Sequence, residues 1–234
     1  MARLLVHVEG QTEETFVNEI LGPHLRQYGY DSVSARLLGN ARARSRRGGV
    51  RAWNAVRKDI LNHLREDQNC LATTMVDYYA MPQSGSEAWP GRSEASNHPF
   101  VRRAETVEDA LLADINQNLG GRFNPDRFIP FVLMHEFEAL LFSDCWKFGS
   151  AICQPALTTD FQRIRDQFSS PEEINDSPQT APSQRIEQLL PAYEKVLYGN
   201  LAVLEIGLET IRRECLHFHQ WVERLEQRPQ AAVK

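Results

Sequence analysis

Apolar and polar positions alternate along the chain in blocks that change period. Residues 3 to 8 (Arg3 to Val8) form a short, weakly alternating apolar run that reads as a buried strand. The run ends in Glu9 and turns on Gly10. Thr12 is then expected to cap a helix reaching about Tyr28. Phe16, Val17, Ile20, Leu21 and Leu25 have helical spacing there, and Pro23 is expected to kink or end it. Residues 31 to 38 alternate as Val33, Ala35 and Leu37 and predict a second strand. Residues 50 to 65 predict a helix with Trp53, Val56, Ile60 and Leu64 on one face. Residues 70 to 76 predict another buried strand, which ends in Asp77.

Residues 78 to 100 contain three prolines, two glycines and several serines and read as a long loop. A helix is predicted over 105 to 119, closed by Gly120-Gly121. A third central strand is predicted over 127 to 134, where Pro130 suggests a strand start or an edge position. Residues 136 to 142 should be helical. This βα alternation implies an α/β fold with a mostly parallel sheet flanked by helices. Beyond residue 145 the pattern predicts helices over 158–168, 183–190 and 201–226, with a polar connector at 171–182. Two regions are expected: an α/β core over 1–145 and a helical C-terminal region over 146–234 packed on it.

Composition narrows the class. With 234 residues, 42% of them hydrophobic and 24% charged, the chain can bury a core without staples. No apolar run approaches the roughly 18 residues of a membrane helix, and the first apolar run is too short for a signal peptide. Cys70, Cys145, Cys153 and Cys215 are scattered and read as reduced thiols of a cytoplasmic protein. The net charge of −5 argues against coating nucleic acid by bulk attraction. Yet residues 36 to 58 carry eight basic side chains and no acid, among them Arg42, Arg44, Arg46, Arg47 and Arg51. Such an arm suits a phosphate-bearing partner held at one place; a solvated loop is the other reading.

The acids at the strand ends carry the chemistry. Glu9 follows the first strand, with Glu13 four residues on. Asp77 follows the strand over 70–76, and Glu136 and Glu138 follow the strand ending near Met134. In a parallel sheet these ends share one edge, where open α/β sheets collect ligands. Gathered carboxylates repel one another unless a cation lies among them, and hard oxygen donors suit Mg²⁺ or Mn²⁺. Glu13 and Glu14 also suit a helix N-terminus on dipole grounds alone. On a helix, Glu136 and Glu138 would point apart, so one of them should reach the cluster, and His135 would share a face with Glu138. His135 is a candidate phosphate contact or acid, or a satisfied structural histidine. His217 and His219 lack zinc spacing and suit a helical surface or interface. Tyr78 and Tyr79 suit base stacking or pocket packing.

Val8-Glu9-Gly10-Gln11-Thr12-Glu13 resembles the VEGxTE opening of Toprim domains in overcoming-lysogenization-defect (OLD) type nucleases, and Asp77-Tyr78-Tyr79 falls where that superfamily carries DxD. The run from His135 to Asp144 (HEFEALLFSD), with Ala181 to Arg185 and Ile206 to Glu209, resembles the bacterial DUF4276 family. The resemblance implies a Toprim-like sheet and Mg²⁺-dependent phosphodiester chemistry on DNA or RNA. It also implies an AAA- or ABC-type ATPase partner and a role in defence against phage. By position, Glu9, Glu13, Asp77 and Glu138 would be catalytic, and these four with Glu136 would supply metal ligands. His135 and the arginine arm would hold nucleic acid, and a homo-oligomer is a further expectation. One departure stands out: Tyr79 replaces the second aspartate of DxD and is a poor Mg²⁺ ligand, so one ligand comes from elsewhere, with Glu136 or Asp144 able to supply that oxygen, or the site binds one cation, or it is inactive. The competing expectation is an inactive Toprim-like scaffold that binds a partner ATPase or nucleic acid.

Overall fold

The computed structural model describes residues 2–38, 52–121, 123–174 and 180–231. Its sheet comprises β1 (Ala2–Val8), β2 (Tyr30–Leu37), β3 (Cys70–Asp77), β4 (Phe128–Ile129) and β5 (Val132–Leu133). The order is β2-β1-β3-β4, with β5 also on β3, and every pairing is parallel. All eight residues of β3 are buried, as expected of a parallel strand covered on both faces.

Two apolar layers cover the sheet. On one face Leu4, Val6 and Val8 join Phe16, Val17 and Leu21 and also Ile206, Phe218, Trp221 and Leu225 from the C-terminal helices. On the other, Ala72 and Val76 pack with Val56 and Ile60 of α3 (Trp53–Glu66) and Val107, Leu111 and Ile115 of α5 (Phe100–Leu119). The first helix is α1 (Gln11–Phe16) and α2 (Gly22–Arg26) joined by a π-helical turn over Val17–Leu21. That wider turn precedes Pro23, which has no N–H to give, and the helix continues to Arg26. A short α4 (Arg92–Ala95) precedes α5. The C-terminal region holds α6 (Cys145–Ala151), α7 (Thr158–Arg165), α8 (Pro182–Leu189), α9 (Lys195–Ile206), α10 (Leu208–Glu214) and α11 (Leu216–Ala231). No helix among the described residues is long and apolar enough to cross a membrane.

Several sequence expectations are corrected. Gly10, not Thr12, is the N-cap of α1; Thr12 lies buried inside the helix. The segment over 78–100 is not a loose loop: Met81, Trp89 and Ala95 are buried, and Arg92 donates from Nε to the Tyr78 carbonyl at 2.8 Å. The strand over 127–134 is broken into β4 and β5 at the sheet edge. Around Pro130 the Thr74 hydroxyl takes over the ladder, accepting from Phe131 N and donating to Phe131 O, each at 2.9 Å. The helix expected over 136–142 is a 3₁₀ segment over Phe137–Ser143, preceded by extended backbone at Glu136. Every residue of that segment is buried, so its pattern had no solvent face to reveal a period. The helix expected over 201–226 is interrupted at Gly207, whose φ of 80° ends α9, and again at Cys215.

Candidate functional site

The C-terminal ends of β1 and β3 place Glu9 and Asp77 side by side on the sheet, because β1 and β3 pair in register with Val8 opposite Met75. Three elements then bring in the remaining groups. Gly10 opens α1, and its N–H donates to Glu13 Oε2 at 3.1 Å, which turns Glu13 back toward the sheet. The 3₁₀ segment follows β5 directly and buries Glu138 completely. Its first N–H, that of Phe137, donates to Asp77 Oδ1 at 3.0 Å and so locks the two pieces together. From the far end of the sequence, α9 begins with Lys195. Its Nζ lies 2.8 Å from Glu138 Oε2 and 4.0 Å from Asp77 Oδ2.

Lys195 was not legible as a site residue. A lysine in the first turn of a helix faces the positive end of the helix dipole, so it gains nothing locally. What holds it there is the acid cluster. Gly199, one turn along α9, permits the approach: a Cβ at that position would lie 3.1 Å from Thr12 Cγ2 of α1. The Lys195 side chain is still 44% exposed, so the cluster opens to solvent on the lysine's side.

The electrostatics follow from burial and like charge. Glu9 is pushed up to about 7, by burial first and then by Glu13, Glu138 and Glu136, with Lys195 opposing. Burial likewise raises Glu13, Asp77 and Glu138, and Lys195 partly offsets each. Burial alone would lower the Lys195 ammonium, but Glu138 and Asp77 outweigh it and hold it protonated. Glu9 Oε2 is buried without a hydrogen-bond donor. Both Glu138 oxygens also lack a hydrogen bond of good geometry, although the Lys195 ammonium lies 2.8 Å from Oε2. An unsatisfied buried acceptor costs roughly 1–3 kcal/mol, and more when charged. One ammonium against four carboxylates leaves that cost standing.

These oxygens fit a hard divalent cation by donor chemistry and by their missing partners. Among the described residues, however, no three His, Cys, Asp or Glu side chains are close enough to share one ion in this arrangement. The lysine ammonium lies where they converge. Glu136 stands apart, with Oε2 accepting from Ser183 N at 3.1 Å. Of the expected Glu136/Glu138 pair, Glu138 is the one in contact with Lys195.

His135 does not share a helical face with Glu138, because the backbone is extended at residue 136. It is buried and stacked on Tyr79, with ring centroids 5.2 Å apart. Burial, then Arg103 and Arg92, lower it to about 3, so it is a neutral imidazole and not an acid near pH 7. Arg42, Arg44, Arg46, Arg47 and Arg51 lie outside the described residues. Asp144 caps α6 through Lys147 N, which commits one of its oxygens. His217, expected on a surface or at an interface, bridges α11 to Glu108 of α5 at 2.9 Å. A cleft of about 440 Å³ lined by Asp144, Trp146, Gln162, Arg165 and Glu214 shares no residue with the acid cluster. Arg165 and Glu214 there pair with each other at 3.3 Å.

The sheet and its acidic edge define an α/β protein with a cluster of carboxylates at the C-terminal ends of its strands. The chain belongs to the DUF4276 family, described as a domain of unknown function, whose model matches residues 8–226. A solved structure of the C-terminal region of the Xanthomonas campestris pv. campestris OLD protein is similar, with 14% sequence identity and a TM-score of 0.43 over 100% of this chain and 98% of that one. No curated protein matches the sequence.

Proposed function

We propose that this chain is a Toprim-like, Mg²⁺- or Mn²⁺-dependent nuclease that hydrolyses phosphodiester bonds of DNA or RNA. The observation that carries the reading is the set of four acids at one sheet edge, with Glu13, Asp77 and Glu138 buried and Glu9 half-buried, of which Glu9 and Glu138 keep oxygens without a hydrogen-bond donor. Glu9, Asp77 and Glu138 would hold the cation, with Glu13 beside them and Glu136 assisting. When bound, a divalent cation neutralises the phosphodiester and polarises phosphorus toward water. Glu9, raised to about 7 by burial and its acidic neighbours, would be drawn to its charged form by the cation it holds. Asp77, fixed by Phe137 N, and Glu13, fixed by Gly10 N, keep their positions as charge changes around them. Lys195, on the open side, would turn its ammonium toward the incoming phosphate once the acids are neutralised. The arginine arm would grip the strand. From the VEGxTE and HEFEALLFSD resemblances we extend the proposal to a cytoplasmic role in phage defence beside an AAA- or ABC-type ATPase.

One observation favours a second reading, a catalytically inactive scaffold. Lys195 already supplies a cation to the cluster, and Tyr79 stands in place of an acid. The test is cleavage of single- and double-stranded DNA and of RNA with Mg²⁺ or Mn²⁺, beside calorimetric titration of the metal alone. The nuclease reading expects metal binding and cleavage, both lost in Glu9→Gln. The scaffold reading expects neither, and stable co-purification with an ATPase.

A further inference from the structure

The helix that delivers Lys195 is apolar on both of its faces. Gly199, Ala202, Val203 and Ile206 of α9 are buried against the rest of the chain. A helix packed on one side ordinarily carries charged and polar residues on the other. Here the other side carries Leu197, Leu201 and Leu204, which fall within about 60° of one another at roughly 100° per residue. Val196 flanks them. Val196 and Leu201 remain 43% exposed, and Leu197 and Leu204 49%. Glu194 and Glu205 border this ridge and are exposed. Lys195 is turned away from it, toward Glu138.

Leucines spaced four and then three residues apart form a helix seam, in which each side chain enters a gap between residues of a facing helix. Four half-exposed side chains in one ridge make an apolar patch of roughly 300 Å², a size at which patches on single chains are often functional. Two copies of the ridge facing each other would remove roughly 600 Å² of apolar surface from water. At the usual apolar share of about 60%, that corresponds to an interface of about 1,000 Å², the lower bound for a specific complex. We propose that the outward ridge of α9 is the two-fold interface of a homodimer, with the two α9 helices antiparallel and Leu201 at the axis. The ridge holds no charge of its own, so it suits an equally uncharged face, and its own copy supplies one. The bordering acids set the direction. A parallel pair would place Glu194 against Glu194 and Glu205 against Glu205. The antiparallel pair instead sends Glu205 of each copy to the first turn of the other helix, the positive end of its dipole. Lys195 and the acid cluster lie on the opposite side of α9, so the dimer does not cover them and does not depend on the nuclease reading.

Sedimentation equilibrium of the full chain tests the dimer. Wild type should move from 26.8 kDa toward twice that mass between about 1 and about 100 µM, the range expected of an interface this small. Leu201→Glu sets two like charges at the axis and should stay at 26.8 kDa throughout. Its thermal melt should match wild type, because residue 201 faces outward. The direction of pairing is read by oxidative cross-linking in a Cys153→Ser background, which removes the exposed native thiol. Leu201→Cys should cross-link to its copy. Leu197→Cys, offset from its copy by about 12 Å along an antiparallel pair, should not. A wild type still monomeric at about 100 µM overturns the proposal, as does a dimer that survives Leu201→Glu. Equal cross-linking at 197 and 201 overturns the antiparallel arrangement. If wild type is monomeric and Leu201→Glu instead abolishes co-purification with an ATPase, the ridge belongs to that partner and the homodimer is wrong.

Discussion

Two groups of buried acids in this chain differ in one respect, and it separates structure from function. Glu172 and Glu108 are as buried as Asp77, yet they are fully partnered. Glu172 accepts His217 N at 3.0 Å and Phe218 N at 2.9 Å, and so caps α11. Glu108 accepts Val132 N at the sheet edge and pairs with His217 Nε2, each at 2.9 Å. Both carboxylates replace backbone hydrogen bonds that the fold would otherwise leave open. Glu9 and Glu138 do no such service: Glu9 Oε2 and both Glu138 oxygens lack a hydrogen-bond donor, and one ammonium, Lys195, stands among the acids around them. Burial of an acid therefore says little by itself. Burial without partners, beside like charge, marks a site waiting for something.

The comparison breaks most visibly under substitution. Glu9→Gln or Glu138→Gln should reduce cleavage by on the order of a hundredfold to a thousandfold, since each removes a charge that would hold the cation. The same variants should unfold no more easily than wild type, because each relieves like-charge repulsion; a chemical-denaturation curve beside the cleavage assay checks both halves. Glu172→Ala should do the reverse. It strands two buried N–H groups and should cost about 3 kcal/mol in denaturation while leaving the calorimetric Mg²⁺ isotherm unchanged. A Glu172 variant that lost metal binding but kept its stability would erase the distinction.

A smaller effect concerns how Lys195 is delivered. Gly199→Leu should force α9 away from α1, costing about 2 kcal/mol of stability by overpacking and loosening the lysine from Glu138. A thermal melt and the Mg²⁺ affinity report the two consequences separately. An effect of comparable size is that of pH. Glu9 is held near 7 in the folded chain against 4.5 for an ordinary glutamate, so the folded state binds that proton more tightly than the unfolded state. Its contribution is present below about 4.5 and is lost as pH rises through about 7, at roughly 1 kcal/mol per pH unit. Metal-free stability should thus fall across that window, and Glu9→Gln or saturating Mg²⁺ should flatten the slope. A metal-free stability that rises from pH 4.5 to 7 by the same amount would place Glu9 in the partnered class.

How far the sequence speaks depends on whether an element has a solvent face. β1, β2 and β3 were legible, and with them the position of Glu9 and Asp77 at strand ends, because short apolar runs between turns have few other conformations. The buried segment over Phe137–Ser143 was not, since a run buried on every side has no solvent face to show a period. The break at Pro130 was legible as a disturbance, but the repair by Thr74 and Glu108 comes from side chains 56 and 22 residues before Pro130 and has no local signature. Lys195 was hidden for the same reason. Nothing between Tyr193 and Val196 distinguishes it from a surface lysine, and only the packing of α9 on α1 carries it to the acids. His135 was singled out from its motif, but its neutral, stacked state depends on Tyr79, Phe100 and the two arginines, which only the fold assembles.

The central claim is that the acids at the ends of β1 and β3 form a cation site, and a crystal soaked in Mn²⁺ tests it most directly. The account predicts an anomalous peak between Glu9 and Asp77, within ligand distance of Glu138, with the Lys195 ammonium moved out of the cluster. A crystal that takes up no Mn²⁺ there, and keeps Lys195 seated on Glu138, would contradict it.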